Sequence, residues 1–132
     1  MDQPQPKRKS LPVTFGEVND KNINILRKLN FETFPVKYST GLYMKIMTQY
    51  TQHSRLVFYN DIVIGAYTVR IEEYKEKPFA YILTFGVLEP YRKYGIGRQM
   101  MAEIEKDLAE NSEVYGVYLH MHVLNKIGMK FY

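Results

Sequence analysis

Tyr81-Ile82-Leu83-Thr84-Phe85-Gly86-Val87-Leu88-Glu89-Pro90-Tyr91-Arg92-Lys93-Tyr94-Gly95-Ile96-Gly97 reads as a strand, a break and the start of a helix. From Phe79 to Leu88 the chain is apolar at both alternating sets of positions, which predicts a central strand buried on both faces. Glu89-Pro90-Tyr91 interrupts it, and beyond Gly95 the residues Ile96, Met100, Met101, Ile104 and Leu108 recur at helical spacing to about Glu110. The short link between strand and helix is Arg92-Lys93-Tyr94-Gly95-Ile96-Gly97. Glycines there let the backbone turn tightly and come close to a ligand, and the first N–H groups of a helix point outward with the positive end of its dipole behind them. Arg92, Lys93 and Arg98 add charge that strengthens hydrogen bonds to phosphate oxygens. Taken alone, Gly95 and Gly97 would do no more than open a helix. Their place after an apolar strand favours a pyrophosphate site. A dinucleotide fingerprint is excluded by Met100, which stands where the third glycine would fall, and a Walker loop by the lack of a following Gly-Lys-Ser/Thr. Another phosphate-bearing cofactor is left.

Upstream, Leu11 to Val18 has strand character, and Asn19-Asp20 offers a cap for a short helix with Ile25, Leu26 and Leu29 on one face. Pro35 ends that helix near Asn30 to Phe34 and makes Phe34 to Tyr38 a loop. Ser39-Thr40 caps a second helix whose apolar side carries Tyr43, Met44, Ile46 and Met47. Leu56 to Tyr59 and Ile62 to Ile71 form an antiparallel hairpin about Asn60-Asp61, and Glu72 to Pro78 is a charged loop. Downstream, Val114 to Val123 is a last strand, with about two helical turns over Asn125 to Tyr132. The order β-α-α-β-β-β-α-β-α predicts one α/β layered domain with a mixed, mostly antiparallel sheet over 11–132, after a disordered leader at 1–10.

At 132 residues and 45% hydrophobic, the chain has material for one core and one principal site. The absence of cysteine excludes disulfides, thiolate metal sites and a cysteine nucleophile, and fits a reducing compartment. No apolar stretch approaches the ~20 residues of a membrane span, so no membrane partner is expected. The net charge of +4 is modest and partly due to Lys7-Arg8-Lys9, which reads as a solvated tail rather than a nucleic-acid arm. His120 and His122 share a strand face but have no third ligand nearby in sequence, so no metal is expected.

The Arg92 to Gly97 loop after a central strand resembles the R/Q-x-x-G-x-G/A loop of the GNAT acetyltransferases, which binds the pyrophosphate of coenzyme A. Further stretches are similar to the NatE-type N-alpha-acetyltransferases, from about Phe15 to Tyr132: Phe34-Pro35-Val36-Lys37-Tyr38, Tyr59-Asn60-Asp61, Val63-Ile64-Gly65-Ala66, Tyr81 to Leu88, Pro90-Tyr91-Arg92 and Tyr118-Leu119-His120. The Golgi-associated NatF-type enzymes share the Phe-Pro and Tyr-Ile-Leu motifs.

This resemblance implies the GNAT fold, acetyl-CoA as cosubstrate, and acetyl transfer to protein N-termini, chiefly methionine followed by an apolar residue. It implies that Tyr81 and His120 hold a water that takes a proton from the peptide's α-amino group, and that Tyr132 lies near the sulfur. With an α-amino pKa of ~7.7–8.0, a modest base acting through water suffices. The Val87 N–H is the expected oxyanion donor. Coenzyme A contacts are implied for Phe85, Gly86, Val87, Arg92, Lys93, Tyr94, Gly95, Ile96, Gly97, Arg98 and Asn125. The peptide is expected against Phe34, Pro35, Val36, Tyr38 and Leu83, where Leu replaces the family's Met at similar volume. The NatA complex and the ribosome are the implied partners, and the cytoplasm, with the nucleus, the implied location.

The family continues past the tyrosine matched by Tyr132 into a hairpin that closes over the peptide. The sequence has no counterpart of it, and Lys126-Ile127-Gly128 replace the acidic and small residues expected after Asn125. An open peptide site is therefore expected. A second class of function fits these residues, a catalytically weak GNAT-like subunit that binds a partner. A third, acetylation of lysine or a small amine, needs a stronger base because the ε-amine has a pKa of ~10.4. Read singly, a tyrosine such as Tyr81 is more often a core residue and a histidine such as His120 a packed or half-exposed strand residue, while Phe34 and Val36 could equally be core plugs at a helix end.

Overall fold

A computed structural model of the chain describes residues 10–33 and 40–119. One five-stranded sheet runs in chain order, β1 (Thr14–Glu17), β2 (Arg55–Tyr59), β3 (Ile62–Tyr74), β4 (Lys77–Val87) and β5 (Val117–Leu119). The first four strands pair antiparallel and β4–β5 is parallel. Helices α1 (Ile23–Thr33) and α2 (Thr40–Gln49) lie on one face, and α3 (Ile96–Asn111) on the other. This is the layered α/β architecture the sequence predicts. Of the predicted last strand, Val114 to Gly116 is irregular and β5 starts only at Val117; its residues 120–123 and the predicted last helix lie outside the described residues.

The α3 face is built by Ile96, Met100, Ile104 and Leu108, a stripe with one residue per turn, against Val57, Tyr67, Val69, Ala80 and Ile82. On the opposite face Leu26, Leu29, Tyr43 and Ile46 pack on Leu56 and Ala66. Two residues assigned to these apolar sides point outward instead: Ile25 is 46% exposed and Met44 54%. A helix of 10 or 11 residues resting on a sheet buries only a narrow stripe. Asn22, which directly precedes α1, exchanges hydrogen bonds with Asn19 and donates Nδ2 to the Glu17 carbonyl at 2.8 Å, so the predicted Asn19 cap is a reciprocal Asn–Asn turn.

Three local expectations are corrected. Leu11 to Val13 belongs to no strand; it docks on α3, with the Leu11 N–H donating to the Tyr94 carbonyl. Glu72 to Pro78 is not a loop, because β3 runs to Tyr74 and β4 starts at Lys77 around a two-residue turn of Lys75 and Glu76, both at positive φ. Such φ values suit the primed turns that match strand twist, and the ten paired positions of β3 and β4 hold these non-glycine residues there. The Asn60-Asp61 turn, also at positive φ, is as predicted. Finally, β4 is central, but it is not covered on both faces throughout: Ala80, Ile82, Thr84 and Gly86 are buried, whereas Tyr81, Leu83, Phe85 and Val87 are half-buried.

Candidate active site

The site is organised by irregularities in β4. Thr68 faces Thr84 and Val69 faces Ile82, so Leu83 is an extra residue, a β-bulge. The bulge shifts the alternation, so Tyr81 lies on the α1–α2 side of the sheet while Phe85 and Val87 pack toward the α3 cluster. Without it, Tyr81 and Phe85 would share one face. Buried Thr68 and Thr84 fix this point with a hydroxyl–hydroxyl hydrogen bond of 2.7 Å.

Beyond the bulge the described residues pair β4 along its β3 edge alone. Pairing with β5 ends at Ile82↔Leu119 among the described residues, yet β4 continues to Val87. The Leu88 N–H donates to the Ile64 carbonyl at 2.8 Å, so the Leu88–Ile64 pair is hydrogen-bonded and the Val87–Gly65 pair is not. The Val87 N–H and C=O therefore turn away from β3. Arg92 Nε donates to the Val87 carbonyl at 2.9 Å, which folds the loop back over the strand end.

The loop is a set of backbone turns. Glu89–Tyr91 forms a single 3₁₀ turn with Pro90 at its start, Arg92 is extended, Lys93 has φ 69° and Gly95 φ 74°. Gly95 is the N-cap of α3 and supplies no side-chain cap, so the first N–H groups of that helix have no intrahelical acceptors and, among the described residues, no capping side-chain oxygen. An anion fits this cradle. A side chain at Gly95 would be strained by the left-handed φ, and its Cβ would come within 3.3 Å of Ser10 Oγ.

Gln99 was not singled out by the sequence. Its amide donates to the Leu11 carbonyl at 2.6 Å and accepts from the Val13 N–H at 3.3 Å, standing in for a strand's peptide unit and tying the N-terminal arm to the loop. Only tertiary contact reveals it, since a glutamine in the first turn of a helix is unremarkable.

Tyr81 is held between two partners that register alone brings together. Its ring stacks on Tyr118 at 5.3 Å with an interplanar angle of 25°, and the Arg70 guanidinium lies 5.4 Å from its centroid. Arg70, directly opposite Tyr81, also pairs with Glu72 at 2.7 Å. The structure thus brings Tyr81, Leu83, Phe85, Gly86, Val87 and the Arg92–Arg98 loop to one strand and its end. Phe34, Pro35, Val36, Tyr38, His120, Asn125 and Tyr132 lie outside the described residues. Among the described residues no cluster of His, Asp or Glu could hold a metal ion, and no helix is long and apolar enough to cross a membrane.

Comparison with known proteins agrees with this geometry. The model of the acetyltransferase (GNAT) family matches residues 23–132. Over 120 residues the chain is 34% identical to a Drosophila melanogaster protein named probable N-acetyltransferase san, covering 91% of this chain and 65% of that one. It is 31% identical to N-alpha-acetyltransferase 50 of Danio rerio, again over 91% of this chain and 71% of the relative. The solved structure of Arabidopsis thaliana Naa50 with the bisubstrate analogue CoA-Ac-MVNAL superposes with a TM-score of 0.78 at 34% identity, covering 91% of this chain and 79% of that one. GNAT enzymes use acetyl-CoA. The chain belongs to the acetyltransferase (GNAT) family, in the group that holds the N-alpha-acetyltransferase 50 proteins.

Proposed function

We propose that this chain transfers the acetyl group of acetyl-CoA to the α-amino group of protein N-termini, with a preference for methionine followed by an apolar residue. The observation that carries the reading is the layout of β4: Tyr81 before the bulge, an outward-turned Val87 N–H after it, and an uncapped helix start directly beyond. The peptide held in the Arabidopsis structure, joined to coenzyme A through an acetyl group, supports the same chemistry here.

Acetyl-CoA supplies an activated thioester. The residues that would hold it are Arg92, Lys93 and Arg98 with the backbone N–H groups from Gly95 to Arg98, where phosphate oxygens meet both charge and dipole. The Val87 N–H, turned away from β3, would be the donor to the thioester carbonyl oxygen, and a fixed backbone donor of this kind needs no reorganisation as charge develops. The Tyr81 hydroxyl, with His120, would hold the water that removes the amine's proton. The ring of Tyr81, fixed between Arg70 and Tyr118, needs little further ordering. Association with NatA-like assemblies and with the ribosome belongs to the same proposal and awaits co-purification.

The test is acetyl transfer to a Met-Leu peptide by purified protein, followed as coenzyme A release, with acetyl-CoA binding measured by calorimetry. Tyr81→Phe should lower kcat by about 10²-fold or more and leave acetyl-CoA affinity unchanged. Cofactor binding without turnover would identify a partner-binding scaffold, and absence of binding would refute the phosphate-loop assignment.

A further inference from the structure

The face that carries Tyr81 continues toward the β3–β4 turn as a strip of aromatic rings. Register sets Arg70 opposite Tyr81, Glu72 opposite Phe79 and Tyr74 opposite Lys77, with Tyr118 beside Tyr81. Phe79 lies 5.3 Å from Tyr118, 6.2 Å from Tyr74 and 6.4 Å from Tyr115, centroid to centroid. Tyr74, Tyr115 and Tyr118 are 53%, 67% and 44% exposed. Contiguous rings left in water mark an interaction surface, where single exposed ones would not.

The cations on this strip sit over rings. Lys75 Nζ is 5.4 Å from the Tyr74 centroid and Lys77 Nζ 4.8 Å from that of Tyr115. Among the described residues neither lysine has a carboxylate at ion-pair distance, although Glu76 and Glu113 border the same groove. Glu72, the acid that register places on this face, is taken by Arg70, and Glu73 faces Pro78 on the other side. Two exposed ammonium groups, held in place by ring faces, remain able to meet an anion.

The direction of the substrate follows from β4. The phosphate loop lies past its C-terminal end, so a cosubstrate anchored there approaches Tyr81 from that end, and an extended peptide whose amine lies at Tyr81 leaves toward Phe79 and Lys77. Tyr81 to Lys77 is four residues, roughly 13 Å at the strand rise, which four extended substrate residues also span. On the reading of Tyr81 given above, we infer that the strip of Tyr74, Phe79, Tyr115 and Tyr118, ending at Lys75 and Lys77, binds the substrate polypeptide downstream of its acetylated end and selects an acidic side chain near its fifth position.

The experiment uses ten-residue Met-Leu peptides that differ only in Glu or Lys at the fifth position. The Glu peptide should show a KM about three- to tenfold lower at unchanged kcat, an advantage that shrinks with salt, since exposed charge pairs are each weak and screened. The double variant Lys75→Glu, Lys77→Glu should abolish or invert that preference and leave kcat for a peptide with Ala at the position unaltered. Equal KM values, or a preference that survives the double variant, overturn the inference. Fluorescence anisotropy of the same labelled peptides reads the strip independently of turnover. If no peptide is acetylated, the catalytic reading fails, yet lysine-dependent binding of the Glu peptide still upholds the strip and equal binding refutes it. Displacement of the Glu peptide by a single-stranded RNA oligomer through the same lysines would assign the strip to nucleic acid instead.

Discussion

The two halves of β4 share one pattern of alternating apolar residues and have different surroundings. After the bulge, Thr84 and Gly86 are buried on the α1–α2 side, and Phe85 and Val87 pack against the α3 cluster. Before it, Ala80 and Ile82 are buried against α3, while Phe79, Tyr81 and Lys77 look out on the other side. Helix length explains the difference. The 11 residues of α1 span roughly 16 Å, whereas the 11 residues of β4 extend roughly 36 Å. Among the described residues the short helices α1 and α2 pack over Leu56 and Ala66 rather than along the whole of β4. One half of the strand is therefore covered and leads to the phosphate loop, and the other is left half-buried and available for contact with a polypeptide. If this division is right, substitutions in the covered half change the fold and those in the open half change binding.

The largest effect should come from Gly65→Ala. A Cβ there would lie 2.8 Å from the Gly86 carbonyl oxygen, so the strand end carrying Val87 must shift. We expect a loss of about 1–3 kcal/mol of stability, the usual cost of overpacking, together with reduced turnover because the Val87 N–H moves. Urea denaturation and kcat measured on the same sample check both. Full stability would show that the covered half is softer than its packing indicates.

How far the sequence foretold this comparison depends on the residue. The Ile96, Met100, Ile104, Leu108 stripe was legible because helical period and burial coincide, and the loop was legible because glycines and basic residues follow an apolar strand. Asn60-Asp61 could be read as a turn since both residue types tolerate positive φ, while Lys75-Glu76 adopts the same geometry with no such signal. The bulge at Leu83 has no marker in the string, so the separation of Tyr81 from Phe85 onto opposite faces could not be foreseen. The partners Arg70, Tyr118 and Gln99 were invisible for a related reason: strand register and arm docking, rather than spacing, bring them into place. Tyr81 itself was picked out by family resemblance, since an aromatic residue in a central strand carries no signal of its own beyond packing.

A smaller effect in the covered half depends on pH. Burial pushes the Tyr67 phenol well above its ordinary value of 10.0, with nearby Arg55 opposing and Glu103 and Asp107 adding to the rise. In the unfolded chain the phenol ionises near pH ~10, while the folded chain keeps the proton. The unfolded state then binds fewer protons, so the stabilisation is intact below pH ~10 and falls by about 1.4 kcal/mol per unit above it. Tyr43, also raised by burial, acts in the same sense. Urea midpoints between pH 9 and 11 should therefore fall more steeply for the native chain than for Tyr67→Phe, and equal slopes would mean that water reaches this phenol.

The smallest effect on the fold should come from Tyr115→Ala in the open half. The ring is 67% exposed and its nearest aromatic neighbour, Phe79, lies at 6.4 Å, while the structural tie of this residue is a backbone hydrogen bond from its N–H to the Pro78 carbonyl, which alanine keeps. Loss of the ring should therefore cost under about 1 kcal/mol. The same change leaves Lys77 without the ring beneath it, so its ammonium regains rotamer freedom and holds an anionic partner less well. Denaturation and peptide anisotropy, measured together, separate these consequences. A nearly unchanged urea midpoint with weakened binding of the acidic peptide is the signature of an open half built for contact, whereas a large drop in stability would make the aromatic strip a second core and erase the distinction between the two ends of β4.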